Sequence, residues 1–161
     1  MTSCDDSSEP QESEPQIASV AADDAEMEAA MARARDTFPE FWAEVSEDYQ
    51  RVIPALTLAQ LKAYFHDEDD SESGEHMWVG EVSFDGEMIS GTLMSQPGHL
   101  DSISEGDSVE FPVSRISDWL IVDDGSAKGL YTVQVLRARM GEDERAAHDA
   151  NYPFEFPPLN Q

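Results

Sequence analysis

The sequence predicts an α+β domain: two N-terminal helices packed on a small, strongly curved, mostly antiparallel sheet, with a partly open barrel as the specific form. Three observations carry this. Apolar residues recur at helical spacing from Met27 to Tyr49. From Gln60 the rhythm changes to period two. Asp85-Gly86 and Asp123-Asp124-Gly125 then mark tight turns between apolar runs.

The elements follow in order. Asp23 or Asp24 caps a first helix, and Asp23 with Glu26 has capping-box spacing. Met27, Ala30, Met31, Ala34 and Phe38 form its apolar stripe. Pro39 stops that helix and suits the first turn of a second, whose buried face is Phe41, Trp42, Val45 and Tyr49. Such a stripe reads as core rather than as a ligand pocket. Leu61, Ala63 and Phe65 alternate with Lys62 and Tyr64, which predicts a strand; a short helix from Thr57 competes. An acidic loop, Asp67 to Glu75, leads to a strand from His76 to Phe84, with Trp78, Gly80, Val82 and Phe84 on one face. The return strand, Glu87 to Met94, puts Ile89 and Leu93 on one side. Val109 and Phe111 mark a short strand ended by Pro112, and Val113 to Asp118 reads as a turn or short helix. Trp119 to Val122 is an apolar run. Leu130 to Leu136 alternates again and predicts a last strand, with Tyr131, Val133 and Val135 on one face. Residues 141–150 have helical propensity and a poor apolar face. The prolines of residues 151–161 forbid a regular helix or central strand there.

Residues 1–22 read as a disordered acidic tail, 23–150 as one domain, and 151–161 as a proline- and aromatic-rich C-terminal tail. The chain carries 35 acidic and 9 basic residues, a net charge of −26. That balance argues against nucleic acid and anionic membrane as partners, since both would repel it. It favours a basic protein, or a salt-rich setting that screens the repulsion; a solvated surface with no partner is the plain alternative. The lone cysteine, Cys4, makes no internal disulfide and implies no oxidising compartment. No signal peptide or membrane span is read, so the cytoplasm is the expected location.

No catalytic constellation emerges. Asp67, Asp69 and Ser71 alternate as in a calcium loop, but the sixth position is Glu72 and the twelfth is Trp78, where glycine and a bidentate glutamate belong. His66 and His76 flank the acidic loop, yet no zinc spacing occurs among the four histidines. Neither a nucleophile elbow nor a phosphate loop is present, so no metal and no cofactor is expected. The candidate binding residues are Arg115, Asp118, Trp119 and Trp78. Arg115 is suited to an anion or a partner carboxylate, with Trp119 as a flat face. On the structural reading Asp118 caps a turn, Trp119 fills the core and Arg115 pairs with a surface acid.

Glu75-His76-Met77-Trp78-Val79, Phe84-Asp85-Gly86, Ile89-Ser90-Gly91-Thr92-Leu93, Gly106-Asp107-Ser108-Val109-Glu110-Phe111, Ile116-Ser117-Asp118-Trp119, Asp124-Gly125 and Gly129-Leu130-Tyr131-Thr132-Val133 occur in one order. In this the chain resembles the DUF2314 family, which includes the YegJ-like bacterial proteins. The resemblance spans roughly Leu61 to Met140, and the helices before it also look similar. It implies a bacterial protein of small α+β type with no established activity and no catalytic residues to carry over. YegJ-like members can carry an export signal where this chain has an acidic tail.

Together these readings predict a non-catalytic acidic module that binds another protein, an immunity or inhibitor role being one version. The rivals are a hydrolase or other enzyme with an unrecognised carboxylate site between acidic loop and sheet, and a structural acidic protein adapted to salt.

Overall fold

In the computed structural model, which describes residues 24–159, two helices precede six antiparallel strands and two further helices follow. The expected tail, residues 1–22, lies outside the described residues. Asp24 begins α1 (Ala25–Asp36) by accepting hydrogen bonds from the backbone N–H groups of Glu26 and Met27. Those donors have no partner within the helix, so the carboxylate satisfies two of them. Pro39 sits in the first turn of α2 (Phe38–Tyr49), as expected. Asp48, buried near the end of α2, accepts 2.7 Å from the Ala55 N–H and so anchors the link to the sheet.

The strands are β1 (Leu56–Asp67), β2 (Asp70–Phe84), β3 (Met88–Leu93), β4 (Ser108–Pro112), β5 (Ile116–Asp123) and β6 (Ser126–Gly129). They lie in the order β4-β3-β2-β1-β5-β6, and the sheet is not closed. The acidic segment is therefore mostly strand: β1 and β2 form one long hairpin, and only Glu68 and Asp69 turn at its tip. A short helix from Thr57 is ruled out by the same hairpin. Val113–Arg115 form a single 3-10 turn between β4 and β5.

One face of the sheet packs against α2 and the end of α1. Phe38, Phe41, Val45, Leu61, Val79, Val82, Ile89, Phe111, Trp119 and Ile121 belong to this core. A smaller cluster of Leu120, Val122, Ala127 and Leu130 forms on the other face, with Leu58, Trp78, Val133, Phe154 and Phe156 against it. β5 is buried from Ile116 to Val122 because both of its faces are covered.

Two further expectations are overturned. Trp78 does not share a face with Val82 and Phe84. Glu81 has φ +51° and the β2–β3 pairing shifts between Gly80 and Ser83, so a bulge reverses the alternation partway along β2. The second is the last strand. Tyr131–Arg139 form a helix, α3. Gly129 (φ +82°) and Leu130 (φ +57°) turn the chain out of the β6 ladder into the left-handed region, and α3 begins at the next residue. A Cβ on Gly129 would stand 2.3 Å from the Trp119 carbonyl oxygen, so only glycine fits this exit. Glu142–Asp149 form α4.

Candidate functional site

The four sequence candidates separate into three places. Trp119 lies in the core, 3% exposed, with its ring 5.6 Å from Phe41 and from Tyr131. Its indole N–H donates to Thr37 Oγ1 at 2.9 Å. Arg115 is half-buried on the 3-10 turn and makes no ion pair among the described residues. It is not brought beside a tryptophan face, because Trp119 points into the core. Trp78 and Asp118 come together, through a residue not among the candidates: Lys62.

Pairing registers put Trp78, Lys62 and Asp118 in one row across β2, β1 and β5. The β1–β5 pairing shifts between Lys62 and Ala63, where Ser117 donates its hydroxyl to the Lys62 carbonyl. The extra residue lets Ile116 face the core together with Trp119, while Asp118 takes the Lys62 side by ordinary alternation. There the Asp118 carboxylate is fully buried and accepts from the backbone N–H groups of Trp119 (2.9 Å), Tyr131 (2.8 Å) and Thr132 (2.9 Å), and from the Thr132 hydroxyl. Two of these amides belong to the first turn of α3, whose own cap residue, Leu130, offers no side-chain acceptor. A carboxylate from another strand thus does the work of an N-cap, in the field of the helix N-terminus.

Lys62 completes the cluster. Its ammonium lies 5.4 Å over the Trp78 ring and donates to Thr132 Oγ1 at 3.5 Å. Burial pulls the Lys62 amine below its ordinary range, and the Asp118 charge opposes this. Burial likewise pushes the Asp118 carboxyl up, against the Thr132 hydroxyl, Lys62 and the backbone donors. The arrangement joins β1, β2, β5 and α3. All the Asp118 bonds run to structural donors, so it reads as a joint of the fold. Sequence offered one signal for it: a lysine on the face of the strand opposite Leu61 and Ala63, in a chain with only two lysines.

The acidic hairpin also has defined work. Glu75 accepts from the N–H groups of Gly98 (2.9 Å), His99 (2.9 Å) and Leu100 (3.3 Å). Asp67 accepts from those of Asp101 and Ser102 and from the Ser102 hydroxyl. Both carboxyls are held below their usual range, Glu75 chiefly by the His99 amide and Asp67 chiefly by the Ser102 hydroxyl. These two acids pin the loop before β4 against the hairpin. Tyr64 stands between the two histidines, its ring 6.0 Å from His66 and 5.0 Å from His76. Among the described residues no group of three or more histidine, cysteine, aspartate or glutamate side chains is placed to hold a metal.

Charge is distributed unevenly over the fold. Residues 63–114, from the second half of β1 through β4, hold thirteen acids and no lysine or arginine. Five of the seven arginines lie on α1, α3 and α4. Arg139 pairs with Asp24 and Glu26. The buried Arg137 donates from Nε to Asp149 at 2.9 Å, and holds that carboxyl down at about 2. A depressed carboxylate pKa favours the folded state above the ordinary value of about 3.9, and this contribution is lost as pH falls toward the folded value. Acid unfolding should therefore include a step between about pH 4 and 2 that Asp149→Asn removes; parallel curves for the two proteins would show that the pair is not coupled to folding. The net −26 also predicts a melting temperature that climbs from low to moderate sodium chloride. A flat or falling curve would mean that the acids are already neutralised.

No helix among the described residues is long and apolar enough to cross a membrane. No solved structure matches the chain. A protein of Neisseria meningitidis serogroup B that carries the name of an ankyrin repeat protein is 43% identical over 125 residues, which cover 77% of this chain and 49% of that protein. The chain thus spans about half the length of this curated relative. The model of the DUF2314 family, described as an uncharacterized protein conserved in bacteria, matches residues 24–156, and the chain belongs to that family.

Proposed function

We propose that the protein is a non-catalytic binding module that engages a basic protein partner through the lysine- and arginine-free half of its sheet. The carrying observation is the charge segregation: thirteen acids and no lysine or arginine from residue 63 to residue 114, a span that forms β2, β3, β4 and their loops. Glu68, Asp69, Asp70 and Glu72 at the hairpin tip, and Asp101, Glu105 and Asp107 in the loop before β4, are exposed. Such a field attracts a cationic surface and repels anionic ones. The Neisseria relative, by its name an ankyrin repeat protein, lends the idea of protein interaction some support. An immunity or inhibitor role fits the same surface.

Asp67 and Glu75 lie on the acidic hairpin, and their bonds to backbone N–H groups give them a loop-holding role rather than an acid–base one. The test is affinity capture from the source bacterium with the full chain as bait, followed by mass spectrometry. The proposal expects a basic protein that elutes as salt is raised to about 0.5 M, where the Debye length falls well below 10 Å. Recovery only of acidic proteins, or of a partner indifferent to salt, would overturn it.

A further inference from the structure

The β5–β6 hairpin closes on Asp124 (φ +48°) and Gly125 (φ +79°), a two-residue turn of the primed kind. In such a hairpin Asp123 and Ser126 bond to each other, so alternate residues beyond them turn their backbone groups away from the partner strand. Ala127 and Gly129 are those residues. The chain itself uses the first part of this outer edge. After α4 the C-terminal strap runs alongside β6: the Glu155 N–H donates to the Gly125 carbonyl at 2.8 Å, and the Ala127 N–H donates to the Glu155 carbonyl at 2.9 Å.

The parallel ladder stops there for a chemical reason. The next strap residue due to face β6, two positions on, is Pro157. Proline has no N–H for the Ala127 carbonyl. The Pro157 carbonyl turns instead to α3, where it accepts from Gln134 Nε2 at 2.8 Å. Strap and strand therefore part, and a cleft of about 900 Å³ opens between β6, the strap, α1 and α3. The Ala127 carbonyl and the Gly129 N–H lie along one side of it. Ala29, Val135, Ala138 and Phe156 supply apolar lining. Its rim charges are largely occupied: Glu26 by Arg139, Lys128 by Glu44, and Arg33 over the Tyr131 ring at 5.0 Å.

We propose that this cleft binds an extended, uncharged peptide segment of a partner protein. One residue of the peptide takes the ladder position that Pro157 leaves, donating its N–H to the Ala127 carbonyl and accepting from the Gly129 N–H. This is strand addition, in which main-chain bonds supply affinity and the flanking side chains supply selection. The occupant is chosen on two grounds. The strap shows that this edge accepts an extended chain. A second copy would bring −26 against −26, so a different protein is favoured.

The test pans phage-displayed random peptides on the full chain and measures the enriched peptides by fluorescence anisotropy. Ala29→Trp and Ala138→Trp fill the cleft from exposed helix positions, so both should melt like wild type. Enriched peptides should bind at least one of these variants tenfold or more weakly, and should slow hydrogen exchange at the Gly129 amide. The proposal falls if no peptide is enriched, if both variants bind as wild type does, or if exchange at Gly129 is unchanged by the peptide. Because the cleft is lined mainly from β6, α1, α3 and the strap, its failure would leave the acidic half untouched as a binding surface.

Discussion

Trp119→Ala should lower the free energy of unfolding by about 3–5 kcal/mol, the usual cost of truncating a large aromatic in a core. The side chain is 3% exposed and lies between Phe41 of α2 and Tyr131 at the start of α3. Its removal opens a cavity at the point where both helices meet the sheet, and Thr37 Oγ1 loses its indole donor. Because Gly129 packs its backbone against the indole ring, the β6 exit should loosen as well. For a domain whose whole stability is about 5–15 kcal/mol, the loss is large. Denaturant unfolding measures it. An unchanged midpoint would put Trp119 outside the core and restore it, with Arg115, as a surface anchor.

Asp118→Ala should cost a similar amount, about 3–5 kcal/mol, for a different reason. Asp118 is a fully buried acceptor, and each buried donor left without its partner costs about 1–3 kcal/mol, while the half-buried Lys62 ammonium loses a nearby opposite charge. The substitution strips the acceptor from the Tyr131 and Thr132 N–H groups that begin α3. Lys62→Met in the same background tests the electrostatic part. The ammonium that loses its counter-charge is then absent, and methionine keeps the packing on Trp78. The double variant should therefore be more stable than the sum of the two single losses predicts, by the logic of a double-mutant cycle. Strict additivity would mean that Lys62 and Asp118 are not coupled and that Asp118 acts through the helix amides alone.

Much of the fold was legible because local rules agreed with the final structure. Asp24 as cap, Pro39 in a first turn, the β2–β3 hairpin at Asp85-Gly86 and Pro112 at the end of β4 all follow from residues acting over a few positions. The failures lie where long-range packing overrides local pattern. Tyr131, Val133 and Val135 alternate like a strand, but the left-handed exit at Gly129 and Leu130 and the cap from Asp118 make them helical. Nothing within ten residues of Tyr131 reveals that cap. Simple alternation puts Trp78 on the face of Val82 and Phe84, but the bulge at Glu81 shifts it to the other, and positive φ at a glutamate has no simple sequence signal. Asp118 and Trp78, two of the candidate binding residues, come together with Lys62 where the sheet meets α3. The thirteen-acid stretch was open to inspection throughout, but only the strand order shows that it occupies one side of the sheet.

The most direct test is calorimetric titration of the captured basic partner into wild-type protein and into the variant Glu68→Lys, Asp69→Lys, Glu72→Lys. All three positions are exposed at or beside the hairpin tip, away from the Asp67 and Glu75 carboxylates that pin the loop, so the variant should melt at or above the wild-type temperature. At low salt the reading predicts affinity at least tenfold weaker for the variant, with the difference shrinking as salt rises. Equal affinity of the two proteins at every salt concentration would contradict it.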